Sequence, residues 1–204
     1  MELFLIRHGK TTFGTEDRFE GVSDSPLSQA GLIQSEILGE YLKNKNVSSI
    51  YSSPLPRAQQ TAEIIKKHIG DKIKITTDER LREISYGDWD GKKKSELRCL
   101  PEWLEREKQK YYWQNPGICD GVIGESYAML ESKIVPTLME FLNKKISKNI
   151  ILVTHNGVLR VIRKHIEKLE PSTAINTPWP HENIFKIYKD GANQIHSEII
   201  NTRL

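Results

Sequence analysis

Apolar residues follow two different patterns along this chain, and their alternation predicts the order of its elements. Residues 3–6 and 150–153 are short, continuous apolar runs, which are typical of strands buried on both faces of a sheet. Other stretches repeat apolar side chains every three or four positions, as amphipathic helices do: residues 28–44, 58–68, 126–145 and 158–168. Strands that alternate with helices predict an α/β fold with a largely parallel sheet.

Shorter patterns extend this order. Residues 48–51 and 72–76 predict two further strands, while residues 184–188 and 195–199 predict a closing hairpin across a polar segment that contains Gly191.

The helix predicted over residues 28–44 has a start signal and an apolar face. Ser28 stands where a hydroxyl can cap the first turn, and Ser126 stands in the same place for the helix predicted to about residue 145. We expect its sheet-facing side chains to be the apolar residues at helical spacing, Ala30, Ile33, Ile37 and Tyr41.

Two segments interrupt the alternation. Residues 9–27 form a long loop rich in glycine, proline and aspartate, and loops of this length in compact domains are often functional. Residues 92–124 begin with three lysines, continue as a polar helical piece with Trp103 and end in an aromatic and Pro-Gly stretch. We predict one domain over residues 1–204, with 92–124 as an insertion across one face. The insertion is either a solvated helix that its aromatic residues hold down or a lid that selects a substrate.

Composition narrows the classes of function. The 204 residues carry a net charge of only +3, and cations alternate with acids, which argues against nucleic acid and is compatible with a small anionic ligand. Neither a leader pattern nor a membrane-length apolar stretch occurs, so we expect a cytoplasmic protein without a membrane partner. Cys99 and Cys119 form no CxxC pair, which disfavours zinc and leaves a single disulfide open.

The two central strands each run into a histidine that is followed by a glycine, His8 with Gly9 and His155 with Gly157. Ligands of open α/β sheets bind beyond the carboxyl ends of the strands, so these histidines should face one pocket. Arg7 should oppose a cationic ring at His8, which favours a neutral nucleophile and disfavours a metal.

Further candidates follow from local context. Arg57 stands near a predicted helix start, where a cation is unfavourable unless it helps to bind an anion; the alternative is a surface salt bridge. Glu83 is a candidate general acid or an ordinary loop carboxylate. The N–H groups of Asn156 and Gly157 should begin a helix after His155 and suit an anion.

The remaining histidines weigh less as site residues. We expect His68 to be solvated near a helix end. We expect His165 to lie on the apolar side of its helix and to pack into the protein core. His196 falls in a late strand, and His181 lies in an irregular loop, where a structural role outweighs a place in the pocket.

Five motifs in order resemble the histidine phosphatase superfamily, also called the phosphoglycerate mutase-like family, over nearly the whole chain. They are Arg7-His8-Gly9, Ser53-Pro54-x-x-Arg57-Ala58, Glu83 before Tyr86-Gly87-Asp88-Trp89-Asp90-Gly91, Gly124-Glu125-Ser126 and His155-Asn156-Gly157. The resemblance implies a three-layer α/β/α sandwich with a mostly parallel central sheet, and a reaction without a metal or other cofactor.

The resemblance also implies roles for individual residues. His8 attacks phosphorus and becomes a phosphohistidine, while Arg7, Arg57 and His155 hold the phosphoryl oxygens. Glu83 protonates the leaving oxygen and then activates water. The implied substrate-binding set comprises Thr11, Gly14, Gly21, Tyr86 and Asn156.

The chain departs from the family pattern in ways that favour a phosphatase. Lys10 replaces an acidic residue or glutamine, Gly14 replaces a frequent pocket asparagine, and Ile84 replaces the arginine of classical phosphoglycerate mutases. The expected partner is a small phosphorylated metabolite, and a homodimer is left open. A mutase and an inactive phospholigand-binding member are the alternatives.

Overall fold

A six-stranded sheet forms the centre of the protein in a computed structural model, which describes residues 1–202. The strands lie in the order β3-β2-β6-β1-β7-β8. Neighbours among β1, β2, β3 and β6 are parallel, whereas β7 is antiparallel to both β1 and β8. The strands are β1 (Glu2–Arg7), β2 (Val47–Ser52), β3 (Lys74–Thr77), β6 (Asn149–Thr154), β7 (Asn183–Lys189) and β8 (Ile195–Asn201).

Helices cover both faces of this sheet. They are α1 (Thr12–Thr15), α2 (Gln29–Leu42), α3 (Pro56–Ile69), α4 (Lys94–Leu97), α5 (Pro101–Lys108), α6 (Tyr127–Leu142), α7 (Asn156–Glu167) and α8 (Pro171–Asn176). Alternate residues of β1 point to opposite sides: Leu3 and Leu5 pack with α6 and α7, while Phe4 and Ile6 pack with α2 and α3. The predicted α/β/α layering and mostly parallel sheet are therefore confirmed.

The insertion at 92–124 contains α4, α5 and a small hairpin of β4 (Ile118–Cys119) and β5 (Val122–Ile123). An aromatic cluster anchors it, because Trp103 stacks on Trp89 at a centroid distance of 6.0 Å and contacts Phe19 at 6.1 Å. Phe19 belongs to the long loop after β1, so the cluster ties that loop to the insertion.

Two predicted helix starts are confirmed. Ser28 caps α2 by accepting from the Gly31 N–H, and Ser126 caps α6 by accepting from the Met129 N–H. The closing hairpin is also confirmed as β7 and β8. Cys99 and Cys119 are both free thiols. Across residues 1–202, no helix has the length and apolar character that crossing a bilayer requires.

The predicted inner face of α2 was wrong except at Tyr41, which packs against the core. Ile33 and Ile37 are 52% and 37% exposed, and the buried face instead contains Gly31, Ser35, Leu38, Gly39 and Leu42. Small residues are needed there because a Cβ on Gly39 would lie 2.5 Å from the ring of His68 on α3. The expected core position of His165 was wrong too, since its side chain is exposed.

Gly31 fixes the loop that follows His8. An ideal Cβ at this position would lie 2.0 Å from the carbonyl oxygen of Lys10, a backbone atom with little freedom to move. We predict that Gly31→Ala lowers the free energy of unfolding by about 1–3 kcal/mol through overpacking, measured by urea denaturation. Gly191→Ala is the matched control, because nothing lies within 4 Å of its added Cβ. Equal stability of the two variants would contradict this account.

Candidate active site

The histidines that end β1 and β6 lie side by side. These strands are parallel neighbours, and Arg7 is in register with Thr154, so His8 and His155 follow at the same edge of the sheet. Their ring centroids are 5.0 Å apart. The His8 backbone N–H donates to the Thr154 carbonyl at 2.9 Å, which extends the strand pairing to the histidine itself. The two strand-end histidines therefore lie together at one edge of the sheet, as the sequence predicts.

Hydrogen bonds fix the tautomer of His8. Its Nδ1–H donates to the Gly9 carbonyl oxygen at 2.8 Å, because a carbonyl can only accept. Nε2 therefore carries the lone pair, and it accepts a hydrogen bond from the Nε–H of Arg57 at 3.3 Å. An imidazole in this tautomer presents Nε2 as a nucleophile.

The pKa of His8 lies well below the usual value of histidine. Burial is the main cause, since the residue is 1% exposed, and the positive charge of Arg57 is the next. Arg7 contributes less than either. The sequence predicted a neutral ring from the charge of Arg7, which is a minor contribution. The principal cause is burial, which only the folded protein shows.

Arg57 is a fully buried cation in the first turn of α3. Its Nη1 donates to the Ser23 carbonyl at 2.8 Å and its Nη2 donates to the Gly21 carbonyl at 2.6 Å. The surface salt bridge considered as an alternative does not form within residues 1–202. Gly21, predicted to bind substrate, therefore uses its carbonyl to hold Arg57.

Buried nitrogen atoms of His155 and Arg7 have no hydrogen-bond partner within the described part of the chain. One is Nδ1 of His155, whose Nε2 lies 2.7 Å from the Ser53 hydroxyl oxygen. The other is Nε of Arg7, whose Nη1 donates to the Trp179 carbonyl at 3.2 Å. An unsatisfied buried donor such as Nε of Arg7 is costly, and an oxygen of a bound anion would satisfy it. Nδ1 of His155 is a second such donor in the tautomer whose Nε2 accepts from the Ser53 hydroxyl.

Glu83 is buried with a pKa above the usual value of glutamate. Desolvation raises this pKa, and it outweighs the backbone N–H groups of Gly157 and Ile84, which donate to the carboxyl at 3.0 and 2.9 Å. The Gly157 N–H, expected to be available for an anion, is therefore engaged by Glu83 instead. A carboxyl with a raised pKa is suited to donate a proton.

A cleft of about 440 Å³ opens beside these groups. Its lining includes Arg7 and Glu83 together with four of the five predicted substrate-binding residues, Gly14, Gly21, Tyr86 and Asn156. Asn156 has a buried Oδ1 without a partner within residues 1–202. Thr11, the fifth residue, is fully buried and does not line the cleft. His8 and Arg57 do not line it either, and their exposed fractions are 1% and 0%.

Glu20 is a site residue that sequence reasoning missed. It lines the cleft, its Oε2 lies 3.9 Å from Nε2 of His8, and its Oε1 accepts a hydrogen bond from Thr11. The residue was overlooked because a glutamate in a glycine-rich loop has no distinctive pattern.

His181 is the second missed residue. Its Nδ1–H donates to the His8 carbonyl at 2.7 Å, and the two rings are 5.9 Å apart. Burial lowers its pKa to about 3, so the ring is neutral. The sequence placed it in a loop before β7, and only the pairing of β7 with β1 brings that loop to the site.

The described residues contain no group of three or more histidine, cysteine or acidic side chains that could hold a metal ion. The histidine pair is instead flanked by Arg7 and Arg57, whose positive charges oppose a bound cation.

Comparison with known proteins agrees with this geometry. Residues 3–197 match the family model of the histidine phosphatase superfamily, branch 1. A Hydrogenobacter thermophilus protein, provisionally named phosphoserine phosphatase 2, is 30% identical over 96% of this chain and 89% of its own length. A 2,3-bisphosphoglycerate-dependent phosphoglycerate mutase of Cytophaga hutchinsonii is 29% identical over 83% of this chain and 78% of its own.

Solved structures agree as well. YhfR of Bacillus stearothermophilus superimposes with a TM-score of 0.82 at 28% identity, over 98% of this chain and 96% of the other. The family match spans almost the entire fold, including both strand-end histidines, and the chain belongs to branch 1 of the histidine phosphatase superfamily.

Proposed function

We propose that this protein is a phosphatase that hydrolyses a small phosphomonoester through a phosphohistidine on His8. The observation that carries the proposal is the geometry around His8: its Nδ1–H is held by the Gly9 carbonyl, and its Nε2 lies 3.3 Å from the Nε of the buried Arg57. Glu83 is a buried carboxyl of the same site, and burial raises its pKa, while burial lowers the pKa of His8. Both directions favour attack on a phosphate ester, which needs an unprotonated imidazole and an acid for the leaving oxygen.

The first step forms a bond between Nε2 and phosphorus while the ester P–O bond breaks. Glu83 transfers its proton to the leaving alcohol oxygen. Arg57 Nε, which donates to Nε2 in the free enzyme, is released when Nε2 becomes bonded and can donate to a phosphoryl oxygen. Arg7 Nε and His155 Nδ1 have no other partner within residues 1–202 and supply two further donors to the phosphoryl group.

The second step is hydrolysis of the phosphohistidine. The Glu83 carboxylate accepts a proton from water, whose oxygen attacks phosphorus as the P–N bond breaks. Inorganic phosphate leaves, and both His8 and Glu83 return to their starting forms. The proposal requires no metal, since the two arginines supply the positive charge that phosphoryl transfer needs. A mutase would instead return the phosphoryl group to a second acceptor oxygen.

His8→Ala tests the nucleophile. We predict that it lowers turnover of 4-nitrophenyl phosphate by at least about a thousandfold, because the N–P bond can no longer form. The wild-type protein, quenched during turnover of a ³²P-labelled ester, should retain label that is stable to base and lost in acid. Turnover and labelling should persist in the presence of a chelator.

His165→Ala is the matched control, since it removes an exposed histidine from α7 and should keep full activity. Undiminished turnover in His8→Ala would refute the mechanism. Phosphoryl exchange between esters that outpaces release of inorganic phosphate would identify the mutase.

The pKa shifts predict an acidic pH optimum. Glu83 must be protonated, so kcat/KM should fall as the pH rises through its raised pKa. His8 stays unprotonated well below the usual histidine range, which moves the acid limb to low pH. Glu83→Gln should remove the alkaline limb and reduce kcat/KM much more for an alkyl phosphate than for 4-nitrophenyl phosphate, whose leaving group needs no proton. An equal reduction for both esters would show that Glu83 is not the acid.

We predict that the negative charge of Glu20 weakens the binding of phosphate. Its carboxylate accepts the hydrogen bond of the Thr11 hydroxyl and lies 3.9 Å from Nε2 of His8. A phosphoryl group that approaches Nε2 must therefore displace this carboxylate. Glu20→Gln should tighten competitive inhibition by inorganic phosphate by roughly tenfold, because one repulsive charge is removed. Glu16→Gln neutralises an exposed carboxylate of the same loop, paired with Arg18, and should leave the inhibition constant unchanged. Weaker inhibition in Glu20→Gln would show that this carboxylate assists binding.

A further inference from the structure

A short segment before β7 contacts Arg7 and His8, where β1 ends. Residues 178–181 read Pro-Trp-Pro-His, and each proline fixes its own φ angle, which restricts the backbone here. The Trp179 carbonyl accepts a hydrogen bond from Nη1 of Arg7 at 3.2 Å. The Nδ1–H of His181 donates to the His8 carbonyl oxygen at 2.7 Å. We call residues 178–181 the PWPH segment.

His181 continues the hydrogen bonding of the sheet beyond the last strand pair on this side. The antiparallel pairing of β1 with β7 ends at Ile6 and Ile184. The pairing with β6 goes further, because the His8 N–H donates to the Thr154 carbonyl. On the β7 side, it is the side chain of His181 that reaches the His8 backbone. Since a buried carbonyl needs a partner, this imidazole replaces the backbone donor that β7 no longer supplies there.

The His8–Gly9 peptide unit is thereby held at both of its ends. The carbonyl of His8 and the N–H of Gly9 belong to one planar unit, which moves as a rigid body. The carbonyl accepts from His181, and the N–H donates to the hydroxyl oxygen of Thr61 at 3.0 Å. Thr61 is a fully buried residue of α3. The orientation of this peptide unit therefore depends on two side chains from distant parts of the chain.

The orientation of this peptide unit sets the direction of the nucleophile. The Nδ1–H of His8 donates to the Gly9 carbonyl at 2.8 Å, and Nε2 lies at the far side of the ring. A tilt of the His8–Gly9 unit would move the Gly9 carbonyl, and the ring would follow its acceptor. Attack on phosphorus requires accurate placement, and a shift of about 1 Å can lower a rate roughly a hundredfold. His181 can therefore affect the reaction without touching the substrate.

The PWPH segment is itself fixed by packing. Trp179 is 4% exposed, and its ring meets that of Phe185 edge-on at a centroid distance of 5.9 Å. The guanidinium carbon of Arg163 lies 5.2 Å from the Trp179 ring centroid. The Pro180 carbonyl accepts from the Asn183 N–H at 3.2 Å, which closes the turn into β7. The donor to the nucleophile's carbonyl is therefore in place before a ligand binds.

His181 is not placed to react with the substrate itself. Burial and then the charge of Arg7 lower its pKa to about 3, so its ring is neutral at ordinary pH and offers an anion no charge. Its Nδ1–H is engaged by the His8 carbonyl, and the residue does not line the cleft. Its influence on the reaction must therefore pass through the His8 backbone.

We propose that His181 is a positioning residue, whose hydrogen bond to the His8 carbonyl fixes the His8–Gly9 peptide unit and so directs Nε2 of His8 at the phosphoryl group. The inference rests on the proposed phosphatase function and adds to it a residue outside the cleft. The observation that carries it is the chain of contacts from His181 through the peptide unit to Nδ1 of His8.

Two variants of matched shape separate the hydrogen bond from the imidazole. In His181→Asn, Nδ2 stands as many bonds from Cα as Nδ1 does in histidine, so a donor to the His8 carbonyl is retained. His181→Leu has a methyl group at the same point and no donor. We predict that His181→Leu lowers kcat/KM for 4-nitrophenyl phosphate by at least about tenfold, and that His181→Asn stays within about threefold of the wild type.

Binding is measured separately from attack. The ratio kcat/KM includes formation of the N–P bond, whereas competitive inhibition by inorganic phosphate reports binding alone. The inhibition constant should change by less than about twofold in both variants, because neither alters the arginines or His155.

Stability has its own control. Ile187 is a fully buried residue of β7 that pairs with Leu3 near the other end of β1. Ile187→Val should lower the urea midpoint of unfolding and leave kcat/KM unchanged. All activities are compared under conditions in which circular dichroism shows each variant to be folded. If His181→Leu does not fold, His181→Ala is the variant without a donor, and the same loss is expected.

Equal kcat/KM in the wild type and in His181→Leu would overturn the proposal. An equal loss in His181→Asn and His181→Leu would overturn it too, because the imidazole itself would then be required. So would a rise in the inhibition constant as large as the loss in kcat/KM, or a comparable loss in Ile187→Val, since binding or overall stability would be the cause. If the wild-type protein hydrolyses neither 4-nitrophenyl phosphate nor an alkyl phosphate, the proposed function itself is refuted.

Discussion

The burial of Arg57 is the constraint around which the site is organised. A guanidinium without solvent exposure must satisfy its donors inside the protein, and it does so with the carbonyl oxygens of Gly21 and Ser23 and with Nε2 of His8. One cation thus contacts both the carbonyl groups of the long loop and the Nε2 lone pair of His8. No carboxylate within residues 1–202 pairs with it directly, so its charge remains available to a phosphoryl group.

Burial also shifts the pKa values of His8 and Glu83, and it shifts them in opposite directions. Desolvation disfavours charge, so it lowers the pKa of His8 and raises that of Glu83. These directions favour an unprotonated imidazole at His8 and a carboxyl at Glu83 that keeps its proton to a higher pH than usual. Glu20 lines the adjacent cleft, and its Oε2 lies 3.9 Å from Nε2 of His8.

Residues near each other in sequence were predicted most reliably. The apolar runs identified the strands β1 and β6, the hydroxyls of Ser28 and Ser126 marked helix starts, and parallel pairing placed both strand-end histidines at one edge. These features depend on the spacing of apolar residues and on hydrogen bonds between residues close in sequence, so they can be predicted from the sequence. The inner face of α2 could not be predicted in this way, because close packing against α3 selects small residues over bulky ones.

Local patterns along the chain were enough to predict the α/β order of elements and the candidate residues Arg7, His8, Arg57, Glu83 and His155. How readily these residues carry a charge, and which neighbours surround them, depends on the fold. Glu20 reaches the cleft from the long loop, and His181 reaches the His8 carbonyl from the segment before β7. Burial and long-range proximity arise when the chain closes on itself, and no local pattern of residues encodes them.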